Sequence, residues 1–122
     1  MDLLKRESKR AIIALAGNNI AGVVIYQRHK QEKDTLEIKN LTVRPDVRGR
    51  YIASFLLRNS EIEGGKEFGA RHVLCDAKSE NLAITTFLLR NRYSVINQSF
   101  LYAWGTKKDT TFRKDLMLNA VV

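Results

Sequence analysis

The chain has 122 residues, of which 44% are hydrophobic and 28% charged, with a net charge of +8 at pH 7. That length and composition specify a single folded domain and exclude a disordered polymer, and no apolar run approaches the ~18–20 residues of a membrane-spanning helix. The positive balance favours encounters with anions but does not choose among a phosphate-bearing small molecule, a nucleic acid and an acidic protein.

Residues 2–10 are polar with two leucines and predict a short helix. The continuous apolar run 11–16 predicts a buried strand, and Gly17-Asn18-Asn19 a hairpin turn. The return strand covers 20–28, with Gly22 at a bulge. A charged loop, 29–34, precedes a third strand over 35–43, whose imperfect alternation fits a strand covered in part on both faces. Residues 50–68 predict a long helix, with Ile52, Phe55 and Leu56 at helical spacing and Ile62 farther on. Gly64-Gly65 predicts a kink or an early end, and Gly69 a stop. A strand over 71–76 and a second helix over 81–91 follow. Strands over 94–104 and 110–118 close the chain as an antiparallel hairpin around Gly105. A strand–helix–strand unit of this length implies a parallel, right-handed crossover. The fold class is therefore α/β (α+β), a mixed, mostly antiparallel central sheet in one domain, 1–122, without repeats or linkers.

The turn 43–53 carries Arg44, Arg48 and Arg50 within seven residues, between a strand and a helix start. Helix starts have unpaired N–H groups and a positive dipole end, so such a turn is a seat for phosphate. The competing reading is an ordinary turn with solvated arginines. Cys75, the single cysteine, lies in an apolar run and reads as a small core residue. A lone thiol and the lack of a signal-like apolar start point to the cytoplasm. His29 and His72 have no second histidine or cysteine at ligand spacing, so no metal is expected. The basic clusters at 5–10, 44–50 and 107–114 show no interleaved aromatic nucleic-acid motif.

The run Arg48-Gly49-Arg50-Tyr51-Ile52-Ala53, with its Pro45 to Gly49 lead-in, resembles the Arg/Gln-x-x-Gly-x-Gly/Ala motif of the GNAT superfamily of N-acetyltransferases. Arg48 and Ala53 match, while Tyr51 stands at a motif glycine. Asn81, Ile84, Phe87 and Arg92-Tyr93 resemble the family's Asn-x-x-Ala…Tyr…Gly-Phe helix. There Ile84 replaces the alanine, Leu88 the tyrosine and Arg92 the glycine. The resemblance covers roughly residues 20–104 and implies the acyl-CoA N-acyltransferase fold with a shortened N-terminal half, whose missing elements normally wall the acceptor site. A second subunit or a large acceptor could supply that wall, and a homodimer through the terminal hairpin is one way.

The resemblance implies acetyl-CoA as cosubstrate, with the pantetheine arm along Leu41, Thr42 and Val43. The phosphates would lie over the N–H groups of Arg48, Gly49, Arg50, Tyr51, Ile52 and Ala53, and Asn81 would contact the arm. Asn81 also reads as a helix N-cap. Glu37 corresponds to a catalytic glutamate of some family members and would take the proton of the attacking amine. Its other reading is a solvated strand carboxylate paired with Lys39. Tyr93 and Tyr102 read as packing aromatics with wet hydroxyls, either one a substitute acid for the missing tyrosine at Leu88. Three functions follow: an acetyl-CoA-dependent N-acetyltransferase acting on an unidentified primary amine, on a small molecule, protein or aminoacyl group; a catalytically silent acetyl-CoA-binding regulator of a partner protein; and a small basic nucleic-acid-binding module.

Overall fold

The computed structural model describes residues 9–49, 51–100 and 108–116. Among these residues, apolar and β-branched runs broken by turn residues give six strands: β1 (Lys9–Ala16), β2 (Asn19–Arg28), β3 (Thr35–Val43), β4 (His72–Lys78), β5 (Ser94–Phe100) and β6 (Lys108–Asp115). Two helices join them, α1 (Ile52–Phe68) and α2 (Leu82–Arg90), and a short 3-10 helix, Pro45–Val47, follows β3. The sheet order is β1-β2-β3-β4-β6-β5. Only β3 and β4 run parallel; the other four pairings are antiparallel. The mixed, mostly antiparallel sheet is the one expected.

The core joins Val24, Tyr26, Leu36 and Ile38 of the sheet to Leu56 and Leu57 of α1, with Leu88, Tyr93 and Phe112 alongside. Helix α1 lies close to the sheet because Gly64 faces Leu36; a Cβ at Gly64 would sit 2.7 Å from Leu36 Cδ1. Gly64 thus serves packing, and α1 continues unbroken to Phe68, with Gly69 in the left-handed region as its C-cap. The expected early end does not occur.

Several expectations need correction. Of the helix expected over 2–10, Lys9 and Arg10 belong to β1, and the remainder lies outside the described residues. β1 is not a buried strand but the edge of the sheet. Its burial alternates residue by residue, because α1 covers one face only, and Ile13 and Leu15 stand 53% and 64% exposed on the other. The β2 bulge falls beside Gly22: Ala14 pairs with Gly22 and Leu15 with Ile20, leaving Ala21 as the extra residue. The imperfect alternation of β3 is also a bulge. Ile25 pairs with Asn40 and Tyr26 with Ile38, so Lys39 is extra. The insertion flips the parity of the strand; Leu36 and Ile38 before it, and Leu41 and Val43 after it, share one face.

On α1 the buried residues are Leu56, Leu57, Ser60, Glu61 and Gly64, whereas Phe55 and Ile62 are exposed. Periodicity misjudged this face because two polar residues lie on it, each with a partner. Ser60 Oγ donates to the Leu57 carbonyl at 2.6 Å, and Glu61 is held by Tyr93 and Lys114. The closing hairpin forms as expected between β5 and β6; its junction at Gly105, and Tyr102, lie outside the described residues.

Candidate functional site

β3 and β4 stay together for four rungs only, Thr35 to Ile38 against His72 to Cys75. Beyond them β3 runs on to Val43 and β4 to Lys78 without pairing each other. The bulge at Lys39 lies at the point of divergence. The result is a fork in the middle of the sheet whose β3 side has backbone amides with no strand partner across the gap. On the helix side the fork opens into a cleft of about 240 Å³, lined by Ile38, Leu41, Leu57, Cys75, Asn81, Ile84 and Leu88 among others.

The turn after β3 delivers the start of α1. Pro45 opens the 3-10 helix, Gly49 adopts φ 86 and Tyr51 φ 63. Tyr51 is the helix N-cap, yet no side chain caps this helix, and its first turn holds no acidic residue. The N-cap side chain therefore leaves the opening N–H groups and the positive dipole end uncapped. Tyr51 is 83% exposed, so its ring is accommodated in solvent while the backbone keeps a glycine-like conformation. Arg92 does the same at φ 73. These two, each standing where the family motif has glycine, are the non-glycine residues of positive φ among those described.

Two arginines of this turn are tied to nearby carbonyls. Arg44 is bound to Asp46 at 2.6 Å and to the Ile20 carbonyl at 3.0 Å. Arg48 donates Nε to the Val43 carbonyl at 3.3 Å, which ties it to the end of β3. Arg50 lies outside the described residues. Ile52 and Ala53 are partly buried against the core and fix the helix start in place. Thr42 donates to Asn40 at 2.7 Å and, by its pairing with Val23, faces away from the helices, whereas Leu41 and Val43 face toward them. Asn81 caps α2 by accepting from the Ile84 amide at 3.1 Å, and it also lines the cleft.

On the sheet face that carries no helix among the described residues, the fork opens into a second depression of about 290 Å³, lined by His29, Glu37, Leu74, Asp76 and Thr111 among others. It shares Ile38, Lys39, Cys75 and Asp76 with the cleft on the helix side, so the two hollows meet at the fork. Glu37 accepts from Gln27 at 3.3 Å and lies 3.6 Å from Lys39 Nζ. Glu37 is thus a strand carboxylate paired with Lys39, and it lies beside the fork. Asp76, overlooked in the sequence, accepts from Thr111 Oγ1 at 2.7 Å. The available signal was a lone carboxylate inside the apolar run Val73-Leu74-Cys75-Asp76-Ala77.

Three further groups are decided by their surroundings. The Tyr93 hydroxyl is not wet: it donates to Glu61 at 2.7 Å, and burial first, then the Glu61 charge, push its pKa upward. It is thereby committed away from the fork. Cys75 is half-buried, with burial, and secondarily Asp76, raising its thiol to about 12. Leu88 is fully buried and at the same time lines the cleft. Among the described residues no group of three or more His, Cys, Asp or Glu is placed to hold a metal ion, and no helix is long and apolar enough to cross a membrane.

A profile of the Acetyltransferase (GNAT) family matches residues 2–90. Among solved structures, a Bacillus anthracis protein assigned as a streptothricin acetyltransferase, in complex with acetyl coenzyme A, superposes with a TM-score of 0.81 at 16% identity, over 89% of this chain and 63% of that one. A Bacillus subtilis acetyltransferase in complex with CoA gives a TM-score of 0.74 at 17% identity, over 95% of this chain and 84% of that one. The ribosomal-protein-S18-alanine N-acetyltransferase of Escherichia coli gives 0.77 at 14% identity, over 93% and 73%. This chain thus spans under two thirds of the length of the first of these. Comparison with curated protein sequences finds no match.

Proposed function

The chain belongs to the Acetyltransferase (GNAT) family, and on that premise we propose that it binds acetyl-CoA and transfers the acetyl group to a primary amine by direct attack. The observation that carries this reading is the uncapped start of α1 opening beside the fork between β3 and β4. Phosphates suit the N–H groups of that helix start and of the turn before it. The pantetheine arm, an extended chain with amide groups, suits the unpaired side of β3 at Leu41 to Val43.

The acceptor would enter from the opposite face, through the hollow lined by Glu37 and Asp76. There an ammonium loses its proton to a carboxylate, directly or through water, and base catalysis of this kind is typically worth ~10²–10⁴-fold. The amine nitrogen then bonds to the thioester carbon, the C–S bond breaks, and a backbone N–H on β3 steadies the developing oxyanion. The departing thiolate derives from a thiol of pKa ~8.5, so it leaves without an obligatory acid. That matters here because Leu88 offers no proton and Tyr93 is engaged by Glu61. A lone half-buried thiol also fits a cytoplasmic location.

Those same two features favour a second reading, an acetyl-CoA-binding protein without turnover that regulates a partner. Calorimetric titration with acetyl-CoA and with CoA tests the shared premise, and absence of binding to either overturns both readings. Thiol release over a panel of amines then separates them, since a binder that releases no thiol with any amine is the silent relative.

A further inference from the structure

The two edges of the sheet are built differently. At one edge β5 carries a bulge: Val95 pairs with Phe112 and Asn97 with Thr111, leaving Ile96 as an extra residue. Such irregularity blunts an edge against pairing. At the other edge β1 is eight residues long, Lys-Arg-Ala-Ile-Ile-Ala-Leu-Ala, with every residue from Lys9 to Ala16 in register with β2 and the extra residue of that pair on β2. It holds no proline, and its charges are confined to Lys9 and Arg10. Arg10 is drawn toward the helix side by Glu67, with Nε 3.0 Å from the carboxylate. Among the described residues nothing pairs with the outer edge of β1. Its outward N–H and C=O groups and its exposed Ile13 and Leu15 therefore present both the backbone valence and the side chains of an open strand.

We propose that β1 pairs antiparallel with β1 of a second copy of this chain, across a two-fold axis at Ile13. A two-fold pairing sets the same patch against itself, so the strand must be self-complementary. For the helix-free faces of both copies to lie on one side, paired residue numbers must sum to an even value, because side chains alternate along a strand. The register centred on Ile13 meets this. On the open face it sets Ile13 against Ile13 of the second copy and Ala11 against Leu15; on the helix side it sets Ile12 against Ala14 and Arg10 against Ala16. Every pair on the open face is apolar, and Lys9 falls beyond the last of these pairs. The antiparallel sense also carries the two basic ends to opposite corners, whereas a parallel arrangement would bring them together. The joined sheets extend the strip of Ile13, Val23 and Ile25 into one surface shared by both copies. This places the contact at β1, not at the terminal hairpin, and it is independent of the acetyl-transfer reading.

Sedimentation equilibrium on the full chain and on two variants tests it. Ile13→Lys and Ile13→Asp alter a side chain exposed in the single copy, and each sets like charges directly opposite one another across the axis, which is destabilising. The expected result is a wild type at twice the 14.0 kDa chain mass, each variant alone at one chain mass with an unchanged circular dichroism spectrum, and recovery of the doubled mass when the two variants are mixed. A monomeric wild type overturns the proposal, as does an Ile13→Lys variant that remains dimeric. Failure of the mixed variants to recover the doubled mass overturns the register centred on Ile13.

Discussion

The Tyr93 hydroxyl donates a 2.7 Å hydrogen bond to Glu61, whose other oxygen lies 2.9 Å from Lys114 Nζ. All three side chains are largely or fully buried, and they tie α1, the exit of α2 and β6 together. A buried carboxylate–ammonium pair is costly to break from one side only, by about 3–5 kcal/mol. Glu61→Leu should therefore lose several kcal/mol in urea unfolding, and Lys114→Met likewise. The double variant should lose much less than the sum of the two, giving a coupling energy of roughly 1–3 kcal/mol. Additive losses would show that the two groups do not act as a pair.

Tyr51 holds a left-handed backbone with an exposed ring. A side chain in that region costs about 1–2 kcal/mol, and removing an exposed ring sacrifices no packing. Tyr51→Gly should raise the unfolding free energy by about 0.5 kcal/mol after the greater entropy of an unfolded glycine is counted. Tyr51→Ala, which keeps the Cβ, should bring no such gain.

Asn81 caps α2 and has a proposed ligand role besides. Asn81→Ala should cost about 1 kcal/mol through loss of the cap. Asn81→Asp keeps an accepting oxygen and should retain the wild-type Tm. If the amide also donates to the pantetheine arm, Asn81→Asp should weaken CoA binding by about threefold to tenfold, the worth of one hydrogen bond. Calorimetry and thermal unfolding on the same pair of variants separate the two roles.

Glu37 and Asp76 are the two carboxylates of the hollow on the helix-free face. The one that takes the proton should lose ~10²-fold or more in turnover as its amide, Glu37→Gln or Asp76→Asn, with acetyl-CoA affinity nearly unchanged. That loss should shrink at high pH, where the amine is already neutral. Wild-type turnover at pH 7 in both variants would remove the two carboxylates from the mechanism.

Burial pushes the Cys75 thiol up to about 12, because its thiolate would be poorly solvated. It should resist alkylation by iodoacetamide at pH 8 in the folded protein and react readily once the chain is unfolded, where a thiol titrates near ~8.5. The sign of the linkage follows. The folded state holds this proton more tightly, so the associated stability is complete below the unfolded value and is lost as pH rises toward about 12. Rapid labelling of the folded protein at pH 8 would contradict the raised value.

The sequence by itself determined the strand–helix–strand order, the helix stop at Gly69, the cap at Asn81 and the turn between the third strand and the first long helix. Each rests on chemistry between near neighbours: periodicity, a glycine's left-handed backbone, a side-chain oxygen three residues from an amide. The left-handed backbone at Tyr51 and Arg92 shows how firmly the local path is set, since it persists where the motif glycines are gone. Pairing partners far apart in the chain decided the rest. Lys39 becomes a bulge only through the register of β2 on β3. Glu61 is tolerated on the buried face of α1 only because Tyr93 and Lys114, 32 and 53 residues away, reach it. Asp76 becomes a candidate group only because β3 and β4 part at Cys75 and place it where two hollows meet. Strand divergence and burial depend on which distant segments share a surface, and no window of local sequence carries that information.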